Sequence, residues 1–196
     1  MTASDLVTAL EPVAAAFEAL GIAYFLGGSV ASSAHGVARA SLDADIVAEI
    51  EPAHVDRLAQ QFAVAYYTPV EQMRTAAKEH RSFNLIHLAT MFKIDVFVSR
   101  RRPFDRSAAA RARPQAIGHE AERHFLIASA EDTVLAKLEW FRLGGGTSER
   151  QWWDIVGVLK VATDVVRVYL RRWAAALGVD DLLDQALAAA RASRRQ

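Results

Sequence analysis

The sequence contains no cysteine in 196 residues, which excludes disulfides, thiolate nucleophiles, cysteine zinc sites and thiol redox switches together. Oxygen donors, histidine and the cationic side chains are left to carry any chemistry. No excess of charge of one sign exists either. The 23 Lys and Arg balance 23 Asp and Glu, so no global field marks the chain for a polyanion or a membrane surface. Such a partner would have to be met by a local patch. Long apolar runs are also missing: the longest uncharged stretch, Ala19 to Ala38, is broken by Gly21, Gly27, Gly28, Ser29, Ser32, Ser33, His35 and Gly36, which makes a poor membrane span. Asp5 and Glu11 precede any basic residue, unlike the start of an export or transit segment. A cytoplasmic protein with no membrane association is therefore expected. The histidines lack metal-ligand spacings such as HExxH.

What is present is ordinary globular material, 52% hydrophobic and 23% charged, enough to bury a sizeable core and inconsistent with a disordered chain. The length suits one generous domain, or a catalytic core with a small appendage. Residues 4 to 20 carry apolar residues at helical spacing, with Ser4 as a cap candidate, Pro12 as a possible kink and Gly21 as the stop. IAYFL (22–26) reads as a buried strand entering the Gly27-Gly28 turn, followed by a helix of barely two turns to His35. LDADIVAEI (42–50) reads as a second strand. A helix beginning near Pro52, a weak strand over 63–68 and a polar helix over 70–80 follow. FNLIHLAT and FKIDVFVS alternate as the two strands of an antiparallel hairpin. HFLIAS (124–129) is one more strand, and everything beyond it is helical. The expected division is an α+β domain over 1–128 and a helical subdomain over 129–196.

Three features carry chemistry. Gly27-Gly28-Ser29 lies between a strand and a helix start, where glycines let a polyphosphate approach the backbone and a serine hydroxyl adds a donor. Taken alone, it is more often the signature of a tight strand-to-helix turn. Asp43 and Asp45 sit at i and i+2 on a strand, so both carboxylates project from one face. Like charges held so close cost stability unless a cation neutralises them. Asp95 lies between Ile94 and Val96 in an otherwise apolar strand, where an unpaired charge is costly. Together these form a hard-oxygen site suited to two Mg²⁺ ions about 3.5–4 Å apart, as used for in-line nucleotidyl transfer.

GGSVASSAHGVARASLDADIV followed by KIDVFV resembles the nucleotidyltransferase superfamily of the polymerase-beta type, and within it the bacterial branch of AbiEii-type toxins of abortive-infection systems. The resemblance covers residues 20 to 100. It implies an α+β fold with a mixed sheet, flanking helices and a C-terminal helical subdomain. By the same resemblance Gly27, Gly28 and Ser29 hold the phosphates of an NTP. Asp43, Asp45 and Asp95 ligate Mg²⁺, Asp95 also helps activate the acceptor hydroxyl, and Arg39 is the basic residue before the Asp-x-Asp pair, with Ser41 where the family often has Thr. EDTVLAKLEW and RQWWDI resemble the second half of AbiEii-like proteins, which makes Lys137 and Asp154 further active-site residues. On the residues alone, Lys137 could instead snorkel beside Val134, Leu138 and Phe141, and Asp154 could pair with Arg150.

The implied activity is Mg²⁺-dependent transfer of a nucleoside monophosphate to a tRNA 3′ end or a protein hydroxyl, by a toxin paired with an antitoxin. The competing expectation is a non-catalytic nucleotide-binding regulator, or the antitoxin of such a pair. Six arginines between Arg100 and Arg113, against Asp105 alone, offer either a contact for RNA phosphates or a solvated basic helix. Of the neighbours Trp152 and Trp153, at least one is expected in the core, because adjacent helical residues point in different directions.

Overall fold

The structure is a computed structural model that describes residues 3–36, 43–117, 123–162 and 164–193. Its elements run α1 (Ala3–Ala19), β1 (Tyr24–Leu26), α2 (Gly28–Ala34) and β2 (Asp43–Ala48), then a single 3-10 turn (Pro52–His54) leading into α3 (Val55–Phe62). β3 (Tyr66–Tyr67), α4 (Val70–Glu79), β4 (Ser82–His87), β5 (Phe92–Val98), α5 (Pro103–Arg111), β6 (Arg113–Ala116) and β7 (His124–Ile127) follow. The helices α6 (Ala130–Leu143), α7 (Glu149–Val161), α8 (Arg167–Leu177) and α9 (Asp180–Ser193) complete the chain. These elements fall into two compact units, one within 1–30 and 40–127 and the other within 31–39 and 128–196.

In the first unit the described strands make one mixed sheet in the order β3-β4-β5-β2-β1-β7-β6. β2 and β5 run parallel at its centre, and β4 and β1 flank them antiparallel. Period-two alternation sorts the side chains. Ala44, Ile46 and Ala48 of β2 and Phe92, Ile94, Val96 and Val98 of β5 are buried, while the residues between them are only half covered. The buried face meets α1 and α3 through a run of rings. Tyr24 packs on Phe17, Phe17 on Phe62, Phe62 on Tyr66 and Tyr66 on His87, at centroid distances between 5.2 and 6.5 Å. The Tyr66 hydroxyl donates to the Ala9 carbonyl at 2.7 Å, tying the edge strand to α1. The other face of the sheet centre carries the charged residues.

Two expectations change at the elements. α1 already includes Ala3, so Ser4 lies inside the helix, where its carbonyl accepts from the Thr8 hydroxyl, and Pro12 stands within α1 without ending it. Arg113 to Ala116 form a strand that the sequence does not announce. β6 is an edge strand, the place in a sheet where a proline such as Pro114 is tolerated.

The second unit has a core of its own, with Val134, Leu135, Leu138, Ile155, Val158, Leu170 and Leu183 buried. Ser129 caps α6 by accepting from the Asp132 N–H at 3.1 Å, and Asp132 receives the Ser129 and Tyr169 hydroxyls at 2.6 Å each. Glu131 accepts the Val166 N–H at 2.8 Å. First-turn position alone does not account for Glu131 and Asp132: both are buried and hydrogen-bonded across to the start of α8. Trp152 packs on Phe141 at 5.4 Å, and Trp153 is exposed. No helix among the described residues is long and apolar enough to cross a membrane.

Candidate active site

The half-covered face of the sheet centre gathers the predicted carboxylates. Asp45 stands directly opposite Asp95 across the β2–β5 pair, and Asp95 opposite Asn84 across β5–β4. On the other side the Gly27 N–H donates to the Asp45 carbonyl at 2.9 Å. One row therefore crosses four neighbouring chain segments, from Gly27 through Asp45 and Asp95 to Asn84. The adjacent row places Asp43 opposite Lys93, and Lys93 opposite Ile86. Strand spacing of about 4.8 Å puts three carboxylates and one ammonium within a single small patch.

The turn after β1 is packed onto this patch without spare room. Gly28 has φ +52, and a Cβ placed on it would lie 1.6 Å from Asp45 Oδ2. No side chain fits there while Asp45 keeps its position, so the backbone lies against the carboxylate itself. Ser29 is buried, and its hydroxyl faces the Asp43 carbonyl at 3.5 Å. The Gly-Gly-Ser turn and the Asp-x-Asp strand are thus one packed object.

Lys93 is the residue whose role the sequence reading misses. Its Nζ lies 2.7 Å from Asp95 Oδ2, with the lysine side chain 43% and the aspartate 21% exposed. The hydrogen bond that Lys93 donates to Asp95 holds the ammonium above the usual lysine range, partial burial opposes it, and the charges of Asp95, Asp43 and Asp45 all add to the rise. Position i−2 from Asp95 on an alternating strand was the available signal, and the same rule brings in Asn84 from β4.

The donor set fits a hard divalent cation: three carboxylates share a face, and their negative charges already act together on one cationic group. Among the described residues no three or more acidic or histidine side chains are closed to metal-holding geometry. Arg39 and Ser41 lie outside the described residues.

Lys137 and Asp154 meet in the helical unit. Lys137 Nζ lies 2.9 Å from Asp154 Oδ2, with both side chains buried. This is a dry ion pair between α6 and α7, where a snorkelling lysine would have kept its ammonium in water. The arginine segment is largely engaged within the chain. Arg101 pairs with Glu49 and Glu51, Arg102 grips Asp105, and Arg106 and Arg113 donate to backbone carbonyls.

Comparison with solved structures places this arrangement in context. A nucleotidyltransferase-like antigenic protein from Paracoccidioides brasiliensis superposes with a TM-score of 0.57 at 16% identity, covering 95% of this chain and 93% of that one. The antibiotic-resistance factor ANT(2'')-Ia superposes with a TM-score of 0.50 at 14% identity, covering 99% and 93%. The chain has the nucleotidyltransferase fold. No protein-family model matches the sequence, and no curated protein does so either. At these identities the likeness establishes the nucleotidyltransferase architecture, and the chemistry must be argued from the residues.

Proposed function

We propose that the protein is a nucleotidyltransferase that moves a nucleoside monophosphate from an NTP to an acceptor hydroxyl and releases pyrophosphate. The observation that carries this reading is the shared face of Asp43, Asp45 and Asp95 with the Gly27-Gly28 turn packed directly on Asp45. In this scheme the turn and Ser29 receive the phosphates, and Arg39 adds a cation beside them. The three aspartates would hold Mg²⁺, which when bound supplies charge neutralisation at the reacting phosphate. Asp95 helps draw the proton from the acceptor hydroxyl. The acceptor oxygen then bonds to the α-phosphorus as the bond from that phosphorus to the β-phosphate bridging oxygen breaks. Lys137 and Asp154 are proposed as further active-site residues on the resemblance of their helices to AbiEii-like proteins.

For the acceptor, that resemblance favours a tRNA 3′ end or a protein hydroxyl, within a toxin and antitoxin pair. The fold shared with an antibiotic-resistance factor adds small-molecule hydroxyls to those to be assayed. The test is incubation of the protein with each labelled NTP, Mg²⁺ and total RNA, lysate or small hydroxylated compounds, followed by mass spectrometry of the product. Transfer by the wild type and its loss in Asp43→Ala supports the reading. Wild type and Asp43→Ala that both label nothing would overturn it in favour of a non-catalytic nucleotide-binding regulator.

A further inference from the structure

Asp45 and Asp95 stand directly opposite each other on neighbouring strands, a placement in which like charges destabilise a sheet. Asp43, two residues from Asp45, adds a third negative charge to the same face. Lys93 is placed to relieve all three. It stands opposite Asp43, shares its strand face with Asp95 and bonds the Asp95 carboxylate at 2.7 Å. We propose that Lys93 is a resident counter-cation of the site, helping to hold the carboxylates together until a divalent metal takes its place. The proposal rests on the carboxylates being the metal site of the preceding section.

The residue type suits the role. A lysine ammonium is a point charge on a flexible four-carbon stem, without the planar fork that lets arginine clamp a carboxylate at two points. At 43% exposure the Lys93 side chain has solvent beside it to swing into. Displacement of Lys93 by a metal leaves the ammonium hydrated and the carboxylate oxygens compensated, so neither state strands a buried charge. Two consequences follow. Without metal the carboxylate cluster is less destabilised than it would be without Lys93, and metal binding is weakened by competition with an internal cation.

The deciding experiment is Mn²⁺ titration of the full chain without nucleotide, read by electron paramagnetic resonance of the free ion, on wild type, Lys93→Met, Lys93→Arg and Asp45→Asn. Thermal melts are run with chelator and with saturating Mn²⁺. Lys93→Met is expected to bind Mn²⁺ about threefold to tenfold more tightly than wild type, the upper figure corresponding to about 1.4 kcal/mol. It should melt below wild type in chelator and recover most of that gap in Mn²⁺. Lys93→Arg, which keeps the charge, should bind no more tightly than wild type. Should Lys93→Met fold poorly, Lys93→Gln keeps a hydrogen-bond donor without the charge and is expected to tighten binding as well. Unchanged or weaker Mn²⁺ binding in the uncharged variants, while Asp45→Asn loses it, would overturn the role of Lys93 and leave the metal site standing. Wild type that binds no Mn²⁺, or Asp45→Asn that binds as wild type does, would overturn both.

Discussion

At single positions, packing distances separate structural from chemical roles. At Gly28 an alanine needs both a left-handed backbone, costing about 1–2 kcal/mol, and the space held by Asp45 Oδ2. The carboxylate can swing away more easily than the sheet can move. Gly28→Ala is therefore expected to fold with a stability loss of about that size in chelator and to bind Mn²⁺ several-fold more weakly, checked by melts and metal titration. The buried Lys137–Asp154 pair behaves differently. Removing one partner leaves a charge in the helical core, so Lys137→Met or Asp154→Leu alone should cost about 3–5 kcal/mol, whereas the double variant should recover most of it. Denaturant titration of the three variants measures the coupling.

Tyr24 and Tyr66 supply a pH dependence. Burial, joined at Tyr24 by the hydrogen bond to Glu18, pushes both phenols above the ordinary tyrosine value. The folded state then keeps these protons at pH values where the unfolded state, with a phenol near about 10, releases them. Stability from this source is complete below about pH 10 and is lost as pH rises above it. Tyr66→Phe should flatten the alkaline slope of the melting temperature.

At the scale of elements, legibility follows the strength of local patterning. The hairpin of β4 and β5 shows in the sequence because FNLIHL and FKIDVFV alternate over a full strand length, and the helices α4 and α6 to α9 show because their apolar spacing is sustained. β6 does not, since Arg113-Pro114-Gln115-Ala116 has neither alternation nor β-branched residues and exists as a strand only through pairing with β7. The carboxylate face of the candidate site is legible for the same reason: period two fixes Asp43, Asp45 and Asp95 to faces. Their register against one another, and hence the place of Lys93 and Asn84, is set by strand order, which no local pattern encodes. At the end of α2 lies a second backbone constraint, Gly36, with φ +101 and a Cβ position 2.4 Å from Val161 Cγ1. Val161 is half exposed and can give way, so the left-handed backbone should dominate the cost. Gly36→Ala is expected to lose about 1–2 kcal/mol, and adding Val161→Ala should restore little of it in melting experiments.

For the molecule as a whole, zero net charge conceals an uneven distribution. Acids concentrate on one face of the sheet centre, while the arginines that follow β5 engage Glu49, Glu51, Asp105 and backbone carbonyls. Much of the expected basic patch is thereby used within the chain, so a simple count of arginines overstates what is offered to a polyanion. With a net charge near zero at pH 7, copies of the chain repel one another weakly and patches of opposite sign attract. Solubility is expected to be lowest near neutral pH and to rise with moderate salt, which screens those attractions. Light scattering across pH and ionic strength checks this.

The contact between Gly28 and Asp45 has a thermodynamic corollary. A turn that touches a carboxylate with no gap cannot shift without shifting it, and the reverse is equally true. Whatever settles on the turn therefore changes the affinity of whatever the carboxylates hold, and linkage requires the effect to be equal in both directions. Under the proposed function, nucleotide and cation would then load as a cooperative pair, with the tightness of one glycine setting the strength of their mutual dependence.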